Sequence, residues 1–117
     1  MMIKIISINF FALLICCSFK ENKVNFTLKN QTKMLIDSVV IRSYGLKEVF
    51  KQIKPNDSIS KSVSINYQGQ SEGAWTIMIY STSELKKSGT FGYYSNVSDI
   101  RKSYVVTIYD EFSYKEN

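Results

Sequence analysis

After Lys23, much of the chain alternates between apolar and polar residues with a period of two, which is the period of a β-strand. Residues 74–80 are apolar on both faces of such a strand, and Trp75, Ile77 and Ile79 would share one of those faces. The β-branched and aromatic residues of this run favour a position in the middle of a sheet. We therefore predict that 74–80 is a central strand around which the other strands pack.

The same alternation predicts six further strands. They are expected at residues 23–29, 34–42, 48–53, 58–67, 90–94 and 103–110. In the strand at 58–67, apolar side chains face one way and serines face the other, with Lys61 on the apolar side. Because a buried, unpaired ammonium group is costly, we expect Lys61 to lie near a sheet edge or to extend into water.

The alternation of the strand at 34–42 is irregular. It slips at Asp37, so that Ile36 is out of phase with Val39 and Ile41. A β-bulge at this point would place all three apolar side chains on one side of the sheet.

Two connections carry turn or helix signals. The segment 54–57 has Pro55 and Asn56 at the two central positions of a β-turn and predicts a hairpin between its flanking strands. Ser81 and Glu84 match a helix capping box, which predicts at most one helical turn after the central strand.

Seven short strands joined by short polar turns predict an all-β protein in which two antiparallel sheets pack as an immunoglobulin-like β-sandwich. A small β-barrel is the main alternative. The core cysteine pair of immunoglobulin domains is missing, so the expected likeness is one of architecture only, with Trp75 in the central role. The chain of 117 residues is long enough for one domain, which we expect at 23–112, followed by a frayed tail at 113–117.

The first residues have a different pattern. Residues 1–4 include a positive charge, and residues 5–15 form an apolar run of the length of a signal-peptide core, too short to span a bilayer. Cys16 and Cys17 follow directly and are the only two cysteines in the chain. This segment resembles the signal of a bacterial lipoprotein precursor, in which a Leu-x-small-Cys box ends at the cysteine that receives the lipid.

In that resemblance, Leu14 takes the third position before the cut, Cys16 the small residue just before it, and Cys17 the lipid-bearing position. The resemblance implies a signal peptide at 1–16, a lipid-anchored tether at 17–22, and export to a bacterial envelope membrane. Cysteine is unusual just before the cut, where glycine, alanine or serine is common. The alternative is an ordinary signal peptide cut two residues later, which would give a soluble secreted or periplasmic protein.

The net charge is +5 and the pI is near 9.2. The lysines are scattered along the sequence, and arginine occurs only at Arg42 and Arg101. Proteins that bind nucleic acid cluster these residues on one face, so this distribution predicts a solvated surface and no nucleic-acid partner. A weak attraction to anionic membranes would be a by-product of the charge.

The residue inventory argues against an enzyme. Residues 69–73 match the G-x-S-x-G elbow of α/β-hydrolases, but that motif needs a following helix and a histidine base. Here the predicted central strand follows, and the chain contains no histidine. Without histidine, and without cysteine beyond the anchor, we expect no metal site, no catalytic nucleophile and no cofactor. The carboxylates of Glu72, Asp110 and Glu111 would serve a small hydrolase, which is the least favoured alternative.

Tyrosine is the remaining candidate for recognition. Four tyrosines would either line the rim of the core or expose large rings with few rotatable bonds, which suit contacts with proteins and sugars. They are Tyr80, Tyr93, Tyr94 and Tyr109. We therefore expect a non-enzymatic envelope lipoprotein that acts as a binding module for another envelope protein or a glycan. The alternative from a different class is a structural accessory subunit whose sheet edge pairs with a partner chain.

Overall fold

A computed structural model describes residues 22–43, 46–65, 73–94 and 100–117. The strands in these residues are β1 (Asn22–Asn30), β2 (Ile36–Ser43), β3 (Leu46–Ile53), β4 (Ser58–Ile65), β5 (Gly73–Ser81), β6 (Glu84–Tyr94), β7 (Ser103–Ile108) and β8 (Tyr114–Glu116). They form two four-stranded sheets: sheet A has the order β4-β1-β7-β8, and sheet B has the order β3-β2-β5-β6. A short 3-10 turn at Asp110–Phe112 separates β7 from β8.

The predicted all-β sandwich is confirmed. Because side chains alternate along each strand, each sheet has one face in the shared core and one face outside. β1 and β7 run parallel, whereas the other paired strands are antiparallel. The strand order also differs from the ABED and CFG sheets of an immunoglobulin constant domain, so the likeness to that class is limited to the architecture.

Trp75 occupies the centre of the core between the two sheets. Its side chain is buried, and its ring meets that of Phe26 in β1 edge to face, with 4.9 Å between centroids. The ring of Tyr104 in β7 lies 6.0 Å from that of Trp75 and stacks on Phe26 at 5.7 Å. Aromatic pairs of this kind contribute about 0.5–1.5 kcal/mol each beyond the burial of their area. They fix β5 against the two middle strands of sheet A.

β5 lies between β2 and β6, which confirms the predicted central strand. Trp75, Ile77 and Ile79 are all buried on its inner face. The register pairs Ile77 with Ile41 and Ile79 with Val39 of β2. The inner faces of the two middle strands of sheet B therefore form one continuous apolar surface.

The irregular alternation of β2 has the predicted consequence. Ile36, Val39 and Ile41 all belong to the core, although Ile36 is out of phase with the other two. The predicted β-bulge, however, is not present in the pairing of β2 with β3, which keeps one register from Ile36 to Ser43. Gln52, which lies opposite the irregular point in β3, has a φ of 58°, a left-handed value that is uncommon for a residue other than glycine.

The predicted hairpin between β3 and β4 is wrong, although the turn itself forms. The amide of Asp57 donates to the carbonyl oxygen of Lys54 at 3.0 Å, and Asn56 has a φ of 66°, as the second central residue of a type II turn requires. β3 pairs with β2 in sheet B, however, and β4 pairs with β1 in sheet A. The turn therefore carries the chain from one sheet to the other, an outcome that its local chemistry does not distinguish from a hairpin.

The predicted helical turn after β5 is also wrong. β5 and β6 form a hairpin whose turn residues, Thr82 and Ser83, have φ values of 51° and 62°, the type I′ geometry that favours glycine and asparagine. The Ser81 hydroxyl donates to the carbonyl oxygen of Leu35 at 2.7 Å instead of capping a helix. Asp37 accepts a hydrogen bond from the Ser83 amide at 2.8 Å. These contacts with the start of β2 outweigh the capping-box signal.

Residues 113–117, which were expected to fray, contain β8. β8 pairs with the end of β7 and also bonds to β6 of the other sheet. The Tyr114 hydroxyl donates to the carbonyl oxygen of Thr90 at 2.9 Å, and Glu116 accepts a hydrogen bond from the Gly92 amide at 3.1 Å. These partners come from distant parts of the chain, so the pattern of the tail alone does not predict them.

Side chains of sheet A thus bridge to the edges of sheet B on both sides of the sandwich. On the side opposite β8, Lys61 of β4 donates to the carbonyl oxygen of Val49 in β3 and forms an ion pair with Glu48 at 3.3 Å. Its ammonium group also lies 5.1 Å from the centre of the Phe50 ring. The prediction that Lys61 lies at a sheet edge is confirmed, because β4 is an edge strand of sheet A.

Candidate binding surface

The structure separates the four tyrosines of the predicted binding surface. Tyr94 is buried, and its hydroxyl lies 3.1 Å from the Ser43 hydroxyl, so it belongs to the core and is not available to a partner. Tyr80 is half-buried on the outer face of sheet B, near the end of β5, and Tyr93 is exposed at the opposite end of that sheet. Tyr109 is exposed just after β7 in sheet A. The three accessible tyrosines therefore do not form one cluster.

The connections 31–35, 54–57, 82–83 and 109–113 lie at the same end of the sandwich. They follow β1, β3, β5 and β7, whose last residues all reach this end. β1 begins at the opposite end, and its 9 residues extend over about 30 Å at a rise of about 3.3 Å per residue. We call the end with these four connections the distal end, because it is remote from the start of β1.

Exposed large apolar side chains are concentrated at the distal end. Met34 is 43% exposed and Leu35 39% in the connection after β1. Leu85, next to the β5–β6 turn, is 50% exposed, and Tyr109 is 43% exposed. Tyr93 is also exposed, at 71%, but it lies at the opposite end of sheet B. Single exposed apolar residues are normal on a protein surface, whereas contiguous exposed patches are typical of interaction sites, so the distal end is the candidate binding surface.

A buried asparagine organises the backbone of the distal end. The side-chain nitrogen of Asn30 donates to the carbonyl oxygens of Ile53 and Met34, at 2.8 and 2.9 Å. Its side-chain oxygen accepts from the amide and the hydroxyl of Thr32, at 2.9 and 2.7 Å. Its backbone amide and carbonyl also bond to the turn 54–57. Two of the four distal connections are therefore held in a fixed arrangement, and they present their exposed side chains from ordered backbone.

The outer face of sheet B carries an apolar patch that extends from the distal end. The register pairs Val40 of β2 with Val49 of β3 and with Met78 of β5. Nearer the distal end, Tyr80 of β5 pairs with Leu85 of β6. We call these five residues the outer patch.

Basic side chains flank the outer patch on β2 and β3. Arg42 pairs directly with Lys47, and Lys51 pairs with Ser38. All three basic side chains are exposed, and none of them forms an ion pair within the ranges that the structure describes. This face therefore carries positive charge that no described residue neutralises. Like charges opposite one another in a sheet are unfavourable, so the pairing of Arg42 with Lys47 does not stabilise the sheet.

The outer face of sheet A is different in character. It consists mainly of serine, threonine, asparagine and lysine side chains from β4, β1 and β7. Thr27 and Ser60 are paired across β1 and β4, and their hydroxyls are 2.8 Å apart. This face has no counterpart of the outer patch in the described residues, and it supplies matched control positions for tests of sheet B.

The sequence indicates only part of this surface. The alternation of residues 74–80 already places Met78 and Tyr80 together on the face opposite Trp75. The capping-box signal, however, assigns Leu85 to a helical turn. Val40 and Val49 join the same row only through the register of paired strands, which no local pattern specifies.

The residues that the sequence offers for catalysis or metal binding are placed as follows. No group of three or more histidine, cysteine or acidic side chains that could hold a metal ion occurs among them. Asp110 and Glu111 are exposed neighbours in the connection after β7. Residues 69–72 of the G-x-S-x-G match, including Glu72, lie outside the described ranges. β5 begins at Gly73, so a strand follows the motif, as predicted.

The predicted lipid attachment at Cys17 and the predicted signal peptide at 1–16 lie outside the described residues. Within 22–43, 46–65, 73–94 and 100–117, the structure has no helix of sufficient length and apolar character to cross a bilayer. The expected membrane attachment therefore depends on the sequence resemblance alone.

Comparison with known proteins defines the fold and leaves the function open. No family model and no curated protein matches the chain. Among solved structures, the chain is similar to the NMR structure of a protein from Eubacterium rectale, with a TM-score of 0.52 and 16% sequence identity. The match covers 82% of this chain and 87% of the other. At this identity the likeness shows a shared fold only.

Proposed function

We propose that this protein is a non-enzymatic, lipid-anchored envelope lipoprotein that binds another envelope protein through the distal end of its sandwich. The observation that carries the proposal is the concentration of exposed apolar side chains at the end remote from the start of β1. A lipid on Cys17 would hold the start of β1 close to the membrane, because the tether 17–22 spans at most about 20 Å. The distal end would then face away from the membrane, where a partner can reach it.

A protein suits the distal end better than a glycan does. Three of its exposed apolar side chains, Met34, Leu35 and Leu85, are aliphatic and offer no flat ring on which a sugar could stack. Methionine and aromatic residues are enriched at protein interfaces, and the distal end has both in Met34 and Tyr109. A glycan partner is therefore the alternative that the experiment must distinguish.

Pairing of a partner strand with a sheet edge, as in the accessory-subunit alternative, has less support. Lys61 covers a carbonyl group at the edge of β3, and Tyr114 and Glu116 occupy backbone groups at the edge of β6. Natural proteins cover sheet edges in such ways to prevent pairing with other chains. These two edges of sheet B therefore offer an incomplete template for a partner strand.

The anchor is tested by fractionating cells that express Cys17→Ser. This variant should leave the membrane fraction and lose the mass of the lipid, because serine cannot form the thioether. Cys16→Ser is the matched control, since serine is a common small residue before the cut, and it should stay lipid-bearing. Continued tight membrane association of Cys17→Ser would refute the anchor.

The distal end is tested with a photo-crosslinking amino acid at Met34 or Leu85 in the full-length protein in intact cells. We expect one envelope protein in stoichiometric yield at both positions, and no such adduct from Ser62 on the outer face of sheet A. An equal adduct from Ser62, or no protein adduct from either distal position, would contradict the proposal. Retention on envelope glycan that is lost on Tyr109→Ala would replace the protein partner with a glycan.

A further inference from the structure

We infer that the outer patch and the three cations beside it form an interface for an acidic protein partner, which would place carboxylates next to Arg42, Lys47 and Lys51. The inference rests on the proposed function and extends the contact surface from the distal end onto the outer face of sheet B. The expected partner has an apolar centre bordered by aspartate and glutamate.

The pairing of Arg42 with Lys47 is the first observation. The two residues are directly opposite each other on β2 and β3, and both are exposed. Like charges in this position destabilise a sheet, so the arrangement brings no advantage to the isolated fold. A carboxylate that approaches this pair would interact with both cations through charge-assisted hydrogen bonds.

The contrast with other cations of the sandwich is the second observation. Three of them have carboxylate partners, in the pairs Lys61–Glu48, Lys86–Glu84 and Arg101–Glu116. The cations beside the outer patch have no such partner in the described ranges. Other described lysines, such as Lys29 and Lys54, also lack a carboxylate partner. What distinguishes this face is that Arg42 and Lys47 are two cations directly opposite each other, an arrangement that no other strand pairing in the described ranges contains.

The remaining composition of the face agrees with a protein interface. The outer face of sheet B has no carboxylate at the described positions of β2, β3 and β5 that lie between Ser38 and the end of the sheet opposite the distal end. Asp37, at the distal rim, already accepts a hydrogen bond from the Ser83 amide. Arginine, methionine and tyrosine, which are enriched at protein interfaces, occur together here as Arg42, Met78 and Tyr80.

An anionic bilayer would also supply negative charge, but the geometry favours a protein. Tyr80 and Leu85, the apolar side chains of the patch nearest the distal end, are remote from the start of β1, where a lipid tether would lie. Val40, in the middle of the patch, is only 9% exposed and cannot reach into lipid. A pleated sheet surface of this kind can be covered by another protein surface without insertion.

The first test places a photo-crosslinking amino acid at Thr76, which pairs with Arg42 on this face, in the full-length protein in its native envelope. Val105, half-buried on the outer face of sheet A, is the matched control position. We expect Thr76 to capture a protein through an acid-rich peptide, identified by mass spectrometry, and Val105 to capture none. Equal capture from both positions, or an adduct peptide without acidic residues, would overturn the inference.

The second test measures binding of the captured protein, once purified, to charge variants. Lys47→Glu should weaken the affinity about tenfold, mainly by slowing association, and higher ionic strength should weaken the wild-type complex. This variant places opposite charges across β2 and β3, so it should melt at or above the wild-type temperature. Lys29→Glu, on the outer face of sheet A, is the control and should change the affinity less than about twofold. Unchanged affinity of Lys47→Glu would overturn the inference.

Two further outcomes separate the inference from its premises. If the lipid-free protein binds vesicles that contain anionic phospholipid, and Lys47→Glu abolishes that binding, the face contacts a membrane and the inference is overturned. If Leu85 captures a protein while Thr76 captures none, the proposed function stands and only the inference fails. If neither position captures a protein, both fail.

Discussion

The side-chain amide of Asn30 donates a hydrogen bond to the carbonyl oxygen of Ile53, 2.8 Å away, and so joins the last residue of β1 in sheet A to the last residue of β3 in sheet B. This bond spans the two sheets at the distal end. It also lies beside the turn 54–57, in which the Asn56 amide donates to the Asn30 carbonyl and the Asp57 carbonyl accepts from the Asn30 amide. The crossing from β3 to β4 is therefore stabilised by a residue far away in the sequence.

Asn30→Ala should lower the free energy of unfolding by about 2–5 kcal/mol, because it removes the side-chain partner of the buried Thr32 amide and Ile53 carbonyl, whereas the Met34 carbonyl keeps the Thr32 hydroxyl. Urea unfolding followed by circular dichroism measures the change. Asn25→Ala, on the exposed face of the same strand, is the control and should stay within about 0.5 kcal/mol of wild type. Equal stability of the two variants would show that the Asn30 network contributes little.

Trp75→Ala should cost about 3–5 kcal/mol, since it removes the largest side chain of the core and leaves a cavity. Trp75→Phe should cost clearly less, because the indole nitrogen has no hydrogen-bond partner and the smaller ring loses packing only. Both variants lack the single tryptophan of the chain, so calorimetry or far-UV circular dichroism is the suitable measurement. Wild-type-like melting of Trp75→Ala would mean that the indole is not central to the core.

Two glycines of β6 should respond differently to alanine. Gly92 has a φ of 65°, and a Cβ there would lie 2.8 Å from both the Trp75 and the Tyr104 rings, so Gly92→Ala should cost about 2–4 kcal/mol. A Cβ on Gly89 would meet the hydroxyl of Tyr114, the tip of a side chain that can move. Gly89→Ala should therefore cost about 1 kcal/mol, mainly through the lost Tyr114 bond. Thermal melts that rank the two variants in reverse order would contradict this packing.

The β5–β6 turn should gain stability from residues that suit its backbone. Thr82→Asn combined with Ser83→Gly should raise the free energy of unfolding by about 1 kcal/mol, because both positions have positive φ and threonine is β-branched. The hydrogen bond to Asp37 uses the backbone amide of residue 83 and should survive. Asp37→Ala should lower stability in both backgrounds. A destabilised double variant would show that the native turn residues make contacts that compensate for their strain.

The sequence by itself determined where most of the strands are and which side chains of β4 and β5 face the core. The alternation around Trp75 predicted β5, and the Pro-Asn pair predicted a turn at 54–57, because both signals depend on interactions between residues close in the chain. The tyrosines show the limit of such signals. Tyr94 turns into the core beside exposed Tyr93, where Gly92 adopts a positive φ and changes the alternation of β6.

Only the tertiary structure decided which strands pair and what they place side by side. The turn at 54–57 leads to a different sheet, the tail pairs as β8, and the outer patch forms across four strands. The same register brings Arg42 opposite Lys47. The physical reason is that strand order and register are set by burial and by hydrogen bonds between residues distant in the chain, which local alternation leaves undetermined.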